Sequence, residues 1–392
     1  MADPSRLTCK RDLFDIPRDV CFLNAGSWSP LPKSTIALAK DAVERKVHPW
    51  RIDPTLQADQ NATTRATAAH MVGADAKDIA IMPSISYGVA TAAKILNLPP
   101  GSRVIVLADD HSSPVLEWTA LPEGQEMSVR TVYSDGNGNW TDALLAAIEE
   151  EAAKGLALVS VSNVHWADGA LIDMDAVSTA TRKHGSCLLI DATHAVGVID
   201  MDVKRLKPDF MLFPTYKWLL GPYGRAFMYI DPKWHDAVPL EQTMSGRMRV
   251  RAEDPVYFTD LTYQADASRY DMGEIDFLIS LDMARHGMEL IQSWGHAAVR
   301  AYLNFLTDRI ASGLEQSELN ISLLPRENRS PHILCLGFPN GMPTGLPADL
   351  KAHNIHVAPR LGKLRISPHV YNDEEDIDRF VATLTDLMKG SA

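Results

Sequence analysis

The chain predicts an α/β fold built on a mainly parallel sheet, followed by a smaller α+β region. Three observations carry this reading. Short apolar runs alternate with helix-patterned stretches between residues 79 and 230. Several of those runs are apolar on both faces, as strands are when helices cover both sides of a parallel sheet. Past residues 270–280 the pattern shifts to long helical periodicity with a few short strands.

In chain order, residues 34–47 and 55–72 mix apolar and polar positions at helical spacing. IAIM (79–82) reads as a strand and Tyr87 to Leu96 as a helix. RVIVLA (103–108) is a strand, ALLAAIEEEAAK (143–154) a helix and LALVSVS (156–162) a strand. DAVSTATRKHG (175–185) reads as a helix ending at a glycine. CLLID (187–191), DFMLFP (209–214) and RAFMYI (225–230) are three more strands. One long helical pattern runs from about Phe277 to Glu315. Strand-like pieces ILCLGF (333–338) and KLRIS (363–367) follow, then a terminal helix in EEDIDRFVATLTDLMK.

A length of 392 residues suffices for a large domain with a smaller partner. Hydrophobic residues make up 46% and charged residues 22%, as in globular proteins that are not membrane-embedded. A net charge of -12 argues against a phosphate-backbone binder, so nucleic acid is not an expected partner. No apolar run is long enough to span a bilayer, and the N-terminal stretch lacks a signal-peptide core. Cys9, Cys21, Cys187 and Cys335 are scattered without metal-ligand spacing, which fits a reduced, cytoplasmic setting.

The chemistry concentrates in LLIDATHAVGVIDMDVKRLKPDFMLFPTYKWLLGPYGRAFMY, residues 188–229. One apolar strand delivers Asp191 at its C-terminal end and a second delivers Lys217, followed by the turn GPYG. Ligands of open α/β sheets bind beyond those strand ends. An amine and an acid converging there suit pyridoxal 5'-phosphate (PLP). The lysine links to the cofactor aldehyde, and the aspartate keeps the pyridine nitrogen protonated. Ser84-Ile85-Ser86, between a strand and a helix, offers hydroxyls and first-turn N–H groups to a phosphate; the same serine also makes an ordinary helix cap. His111 follows another strand and could stack on a planar ring. Asn163 and His194 lie at strand ends within reach of a ring hydroxyl. Arg365, on a short C-terminal strand, could take a substrate carboxylate bidentately or be a surface arginine.

These residues, in this order, resemble the class V aminotransferases of PLP fold type I. That family includes cysteine desulfurases, selenocysteine lyases, kynureninases and isopenicillin N epimerase-like proteins. The resemblance runs from FLNAGSWSPLP (22–32) to SPHVYN (367–372), through HW-DG, YKWLLGPYG, RYDMGE and LRISPHVYN. It implies a seven-stranded, mainly parallel sheet flanked by helices. It also implies an N-terminal arm over residues 1–30, a large PLP-binding domain over 31–272 and a small C-terminal domain over 273–392. Lys217 matches the Schiff-base lysine that shuttles the α-proton, and Asp191 the pyridine-nitrogen partner. His111 matches the group stacked on the ring, with a catalytic role. His194 and Asn163 match residues near the ring hydroxyl. Ser84, Ile85, Ser86 and Tyr216 match phosphate contacts, and Arg365 the carboxylate-binding arginine, with Ala25 and Gly26 on the substrate side. Gly273 and Glu274 resemble a segment that reaches the neighbouring subunit's phosphate, implying a homodimer with its active site at the subunit interface.

Some positions depart from the family. Pro214, Thr215 and Tyr216 precede the lysine where many relatives have Ser or Thr with His. Glu274 would repel a phosphate, so only backbone contact suits it. His111-Ser112-Ser113 replaces Phe-Pro-Ser, and a histidine can exchange protons as well as stack. Desulfurases carry a mobile Cys shortly before the carboxylate-binding arginine; HVAPRLGKLRIS has none, and Cys335 lies on a strand. The expected activity is therefore aminotransfer on an amino acid or other amine. A cysteine-independent C–S or C–Se lyase, or an amino-acid epimerase, starts from the same carbanion. A non-catalytic binding module is the remote alternative. No GxGxxG follows a strand, no GxxxxGK[ST] occurs, and Asp191 with His194 supplies only two metal ligands, so neither a nucleotide nor a metal is expected.

Overall fold

The computed structural model describes residues 7–53, 55–250, 255–258, 260–275 and 278–390. Phe277, where the sequence predicts the long helical pattern to begin, lies outside them. After β1 (Cys21–Phe22), α1 (Lys33–Arg45) and α2 (Leu56–Met71), strands and helices alternate. They are β2 (Ile79–Met82), α3 (Ile85–Leu96), β3 (Arg103–Leu107), α4 (Ser112–Thr119), β4 (Ser128–Val132) and α5 (Trp140–Ala152). There follow β5 (Leu156–Ser162), α6 (Met174–Lys183), β6 (Cys187–Asp191), α7 (Val203–Leu206), β7 (Phe210–Pro214) and β8 (Ala226–Ile230).

These strands form one seven-stranded sheet in the order β2-β8-β7-β6-β5-β3-β4. Only β8 runs against its neighbours, pairing antiparallel with both β2 and β7. Every residue of β2, β7 and β8 is buried, which is why those strands read as unbroken apolar runs. The edge strand β4 is different: its sequence SVRTV is mostly solvent-facing and carries Arg130, so it gave no apolar run.

The C-terminal part comprises α8 (Leu278–Trp294), α9 (His296–Gln316), β9 (Leu334–Leu336), α10 (Leu346–Ala352), β10 (Ile355–His356), β11 (Ala358–Arg360), β12 (Lys363–Ile366) and α11 (Glu374–Gly390). The single long helix expected over 277–315 is two helices. Gly295 separates them at φ +77°, a conformation open to glycine and costly for other residues. β11, β12 and β9 form an antiparallel sheet in that order, while β1 pairs parallel with β10. The N-terminal segment continues along β12 through an isolated bridge between Asn24 and Ser367. Among the described residues no helix is long and apolar enough to cross a membrane, and no His/Cys/Asp/Glu cluster could hold a metal ion.

Candidate active site

The strands β2, β3, β5, β6 and β7 run the same way, so their C-terminal ends share one edge of the sheet. A cavity of about 160 Å³, open to solvent on one side, lies there. Its walls include Ser84, Ile85 and Ser86 after β2, His111 after β3, Ser162 ending β5, Asp191 and His194 at β6, and Tyr216 and Lys217 after β7. The strand-end rule for α/β sheets brings together residues 133 positions apart in the chain, from Ser84 to Lys217.

Lys217 is only 6% exposed, and its Nζ lies 3.2 Å from His194 Nε2. Burial pulls its pKa down to about 7; the Arg365 guanidinium pushes the same way, and Asp191 opposes them. The turn behind it is closed by Gly221 N–H donating to Thr215 O at 2.8 Å and by Thr215 Oγ1 donating to Pro222 O at 2.7 Å. Asp191 is 3% exposed and accepts Thr193 N–H on Oδ1 at 2.9 Å. His194 is held well below the usual imidazole range, first by burial and then by Lys217 and Arg365.

Ser84 caps α3, accepting Tyr87 N–H at 3.2 Å, while its carbonyl takes Gly88 N–H. The first-turn N–H groups of Ile85 and Ser86 have no carbonyl within their own helix to bond. His111 lies at the cavity mouth, edge-on to Trp166 at 5.8 Å, with burial against the cavity wall lowering its pKa. Tyr216 stacks on Tyr223 at 3.9 Å, and both line the cavity.

Arg365 is 1% exposed, not a surface arginine. Its Nη1 donates to Trp166 O at 3.1 Å and its Nη2 to Ser27 Oγ at 2.9 Å. Gly26 lies against it: a Cβ there would stand 3.2 Å from the guanidinium carbon. Ala25 is fully buried and bonds Ser367 through its backbone, so it supports this corner rather than lining the cavity.

One expectation falls elsewhere. Asn163 does not line this cavity; its amide lies in a separate one with Asp173, Arg205 and Arg300, and its Nδ2 donates to Met201 Sδ at 3.4 Å. Successive residues of an extended chain point to opposite faces, so Ser162 takes the cavity side and Asn163 the other. Gly273 and Glu274, expected at a neighbouring subunit's site, do not line the cavity of their own chain; Gly273 N–H donates to Glu241.

Other residues went unread in the sequence. Arg360 donates to the same Ser27 Oγ as Arg365, at 2.9 Å, and sits 5.7 Å from the Trp166 ring. Ala358 pairs with Arg365 across the β11–β12 hairpin, and Arg360 is two residues on, so both arginines share a face. Asp110 was also missed; it accepts Ser162 N–H and Oγ–H at 3.2 and 3.0 Å, and burial raises its pKa to about 6.

The donor set fits PLP: a desolvated amine, a buried acid, a helix N-terminus flanked by serines, and an arginine whose buried Nε has no partner among the described residues. Comparison with known proteins agrees. The chain is 25% identical to a probable cysteine desulfurase of Pyrococcus abyssi, over 96% of each chain. It superposes on the apo cysteine desulfurase of Thermococcus onnurineus NA1 with a TM-score of 0.84 and 21% identity, covering all of both chains. It also superposes on a C-DES mutant with glycine covalently linked to its PLP cofactor, with a TM-score of 0.84 and 18% identity, over 97% of this chain and all of that one. The family described as aminotransferase class-V matches residues 39–380, and the chain belongs to it: a PLP-dependent enzyme acting on amino acids.

Proposed function

We propose that the protein is an aminotransferase whose reactive amine is Lys217. The observation that carries this reading is a cavity that gathers one desolvated lysine and one buried aspartate, with no thiol in its lining and with Arg360 and Arg365 packed against its wall residue Trp166. Asp191 would pair the pyridine nitrogen, His194 the ring hydroxyl, and Ser84, Ile85, Ser86 and Tyr216 the phosphate. When bound, PLP withdraws the electron pair left at the amino-acid α-carbon. Lys217, with a pKa near 7, takes the α-proton at its Nζ and can release it again at neutral pH. Arg365 binds the α-carboxylate, and Arg360 adds positive charge beside it. His111 and Trp166 border the space above Lys217. In the proposed homodimer, Gly273 and Glu274 face the partner subunit.

A second reading, elimination of a β-leaving group, is supported by the cysteine desulfurase name of the Pyrococcus relative. Persulfide chemistry on a mobile cysteine has no support here. Cys335 is buried on β9, paired with Arg365 of β12, and its thiol is pushed up to about 12 by burial. Cys9, Cys21 on β1 and Cys187 on β6 do not line the cavity either.

The test is a panel of amino acids offered to the PLP-loaded protein. Keto-acid formation matched one-for-one by aminated cofactor supports aminotransfer. Pyruvate and ammonia without aminated cofactor would instead establish elimination. In Arg365→Ala the amino-acid KM should rise on the order of a hundredfold, from loss of a charge-assisted bidentate contact of about 3 kcal/mol, with PLP retained. An unchanged KM removes the carboxylate role.

A further inference from the structure

Trp218 has no part in the reading above, yet it is 1% exposed and follows Lys217 directly. Its indole Nε1–H donates to His194 Nδ1 at 3.1 Å. An indole nitrogen is a donor only, so Nδ1 must present its lone pair. A neutral imidazole bonded this way carries its proton on Nε2, the atom 3.2 Å from Lys217 Nζ. We propose that Trp218 is a positioning residue acting through His194: it locks the imidazole in the tautomer whose Nε2–H faces Lys217. The functional consequence rests on the reading of Lys217 as the reactive amine.

The surroundings leave the indole and imidazole little freedom. His332 meets the Trp218 ring edge-on at 4.3 Å, and His369 stacks on it at 5.5 Å. His369 Nε2 donates to Trp218 O at 3.2 Å, and His332 Nε2 donates to His194 O at 2.7 Å; a carbonyl can only accept. The charged and titratable groups around His194 are Lys217, Arg365, His332 and His111, with Asp191 three residues before it. Protonating Nδ1 would set two donors face to face across the Trp218 contact. Both the neighbouring cations and the indole therefore oppose an imidazolium. An Nε2–H aimed at Nζ is satisfied only by an amine with a free lone pair, so the arrangement favours unprotonated Lys217.

The experiment uses the full chain carrying ring-¹⁵N histidine, without added PLP, with His194 assigned by the signals lost in His194→Gln. In the wild type, His194 should hold its proton on Nε2 alone from about pH 6 to about pH 9. In Trp218→Phe, which keeps an aromatic ring but removes the donor, His194 should show mixed tautomers or titrate within that range. A wild-type proton on Nδ1, or an unchanged tautomer in Trp218→Phe, overturns the proposal. If that variant does not fold, through-hydrogen-bond coupling between Trp218 Nε1 and His194 Nδ1 in the wild type decides: its presence supports the proposal and its absence overturns it. In the PLP-loaded enzyme, Trp218→Phe should lower kcat on the order of tenfold to a hundredfold, the scale seen when a partner orienting a ligand histidine is lost. The acid limb of its pH profile should move upward; a parallel drop with an unmoved limb overturns the functional part. Failure to bind PLP at Lys217 would overturn the functional reading and leave the tautomer result standing.

Discussion

Lys217 stands where burial strips its ammonium of water, and Arg365 adds repulsion, so its pKa falls to about 7 from about 10.5 in the unfolded chain. The fold without PLP therefore bears the full cost of a buried charge below pH 7. As pH rises from about 7 towards about 10.5, only the unfolded chain keeps the proton, and folded stability climbs by about 1.4 kcal/mol per unit of pH. Lys217→Met removes this dependence. Urea denaturation of both PLP-free proteins should show the variant ahead by several kcal/mol near pH 7, with the gap closing towards pH 10. A gap that stays constant over that range contradicts the desolvated amine. Lys217 and Asp191 were legible because Asp191 ends one apolar strand and Lys217 closely follows another. Asn163 was not, because its side is set by parity along the chain: Ser162 faces the cavity and Asn163 faces away. Arg360 was hidden because its neighbour in space, Arg365, is set by hairpin register, which local pattern does not show.

At the level of elements, the site depends on what lies behind it. Helix α8 crosses the turn after Lys217 so closely that a Cβ at Gly287 would stand 2.2 Å from Leu219 O and 3.0 Å from Leu220 C. Backbone cannot yield as a side chain does. Gly287→Ala should thus cost about 1–3 kcal/mol of stability or more, read as a lowered denaturation midpoint at unchanged slope. A midpoint equal to the wild type would show that α8 does not brace the turn. The same scale explains what the sequence concealed. The buried strands announced themselves as apolar runs, whereas β4 is a half-exposed edge strand and α4 a short helix behind His111. The apparent helix over 277–315 kept its periodicity across Gly295, whose positive φ separates α8 from α9.

Over the whole molecule, the fold brings five strand ends to a single cavity and sets one C-terminal hairpin against Trp166 in its wall. The strand ends follow from the alternation of strand and helix, so that part of the architecture was readable. The hairpin's approach was not. It depends on contacts between residues more than 300 positions apart, such as Asn24 with Ser367 and Ser27 with Arg360 and Arg365. Through those contacts the N-terminal segment and the C-terminal sheet set the arginine corner against the lysine of the large sheet. The proposed function rests on PLP being carried on Lys217. The most direct measurement is borohydride reduction of the PLP-loaded protein, followed by digestion and peptide mass analysis. A phosphopyridoxyl group on the Lys217 peptide is the predicted result. Reduction that leaves Lys217 unmodified, or modifies another lysine in its place, would contradict it.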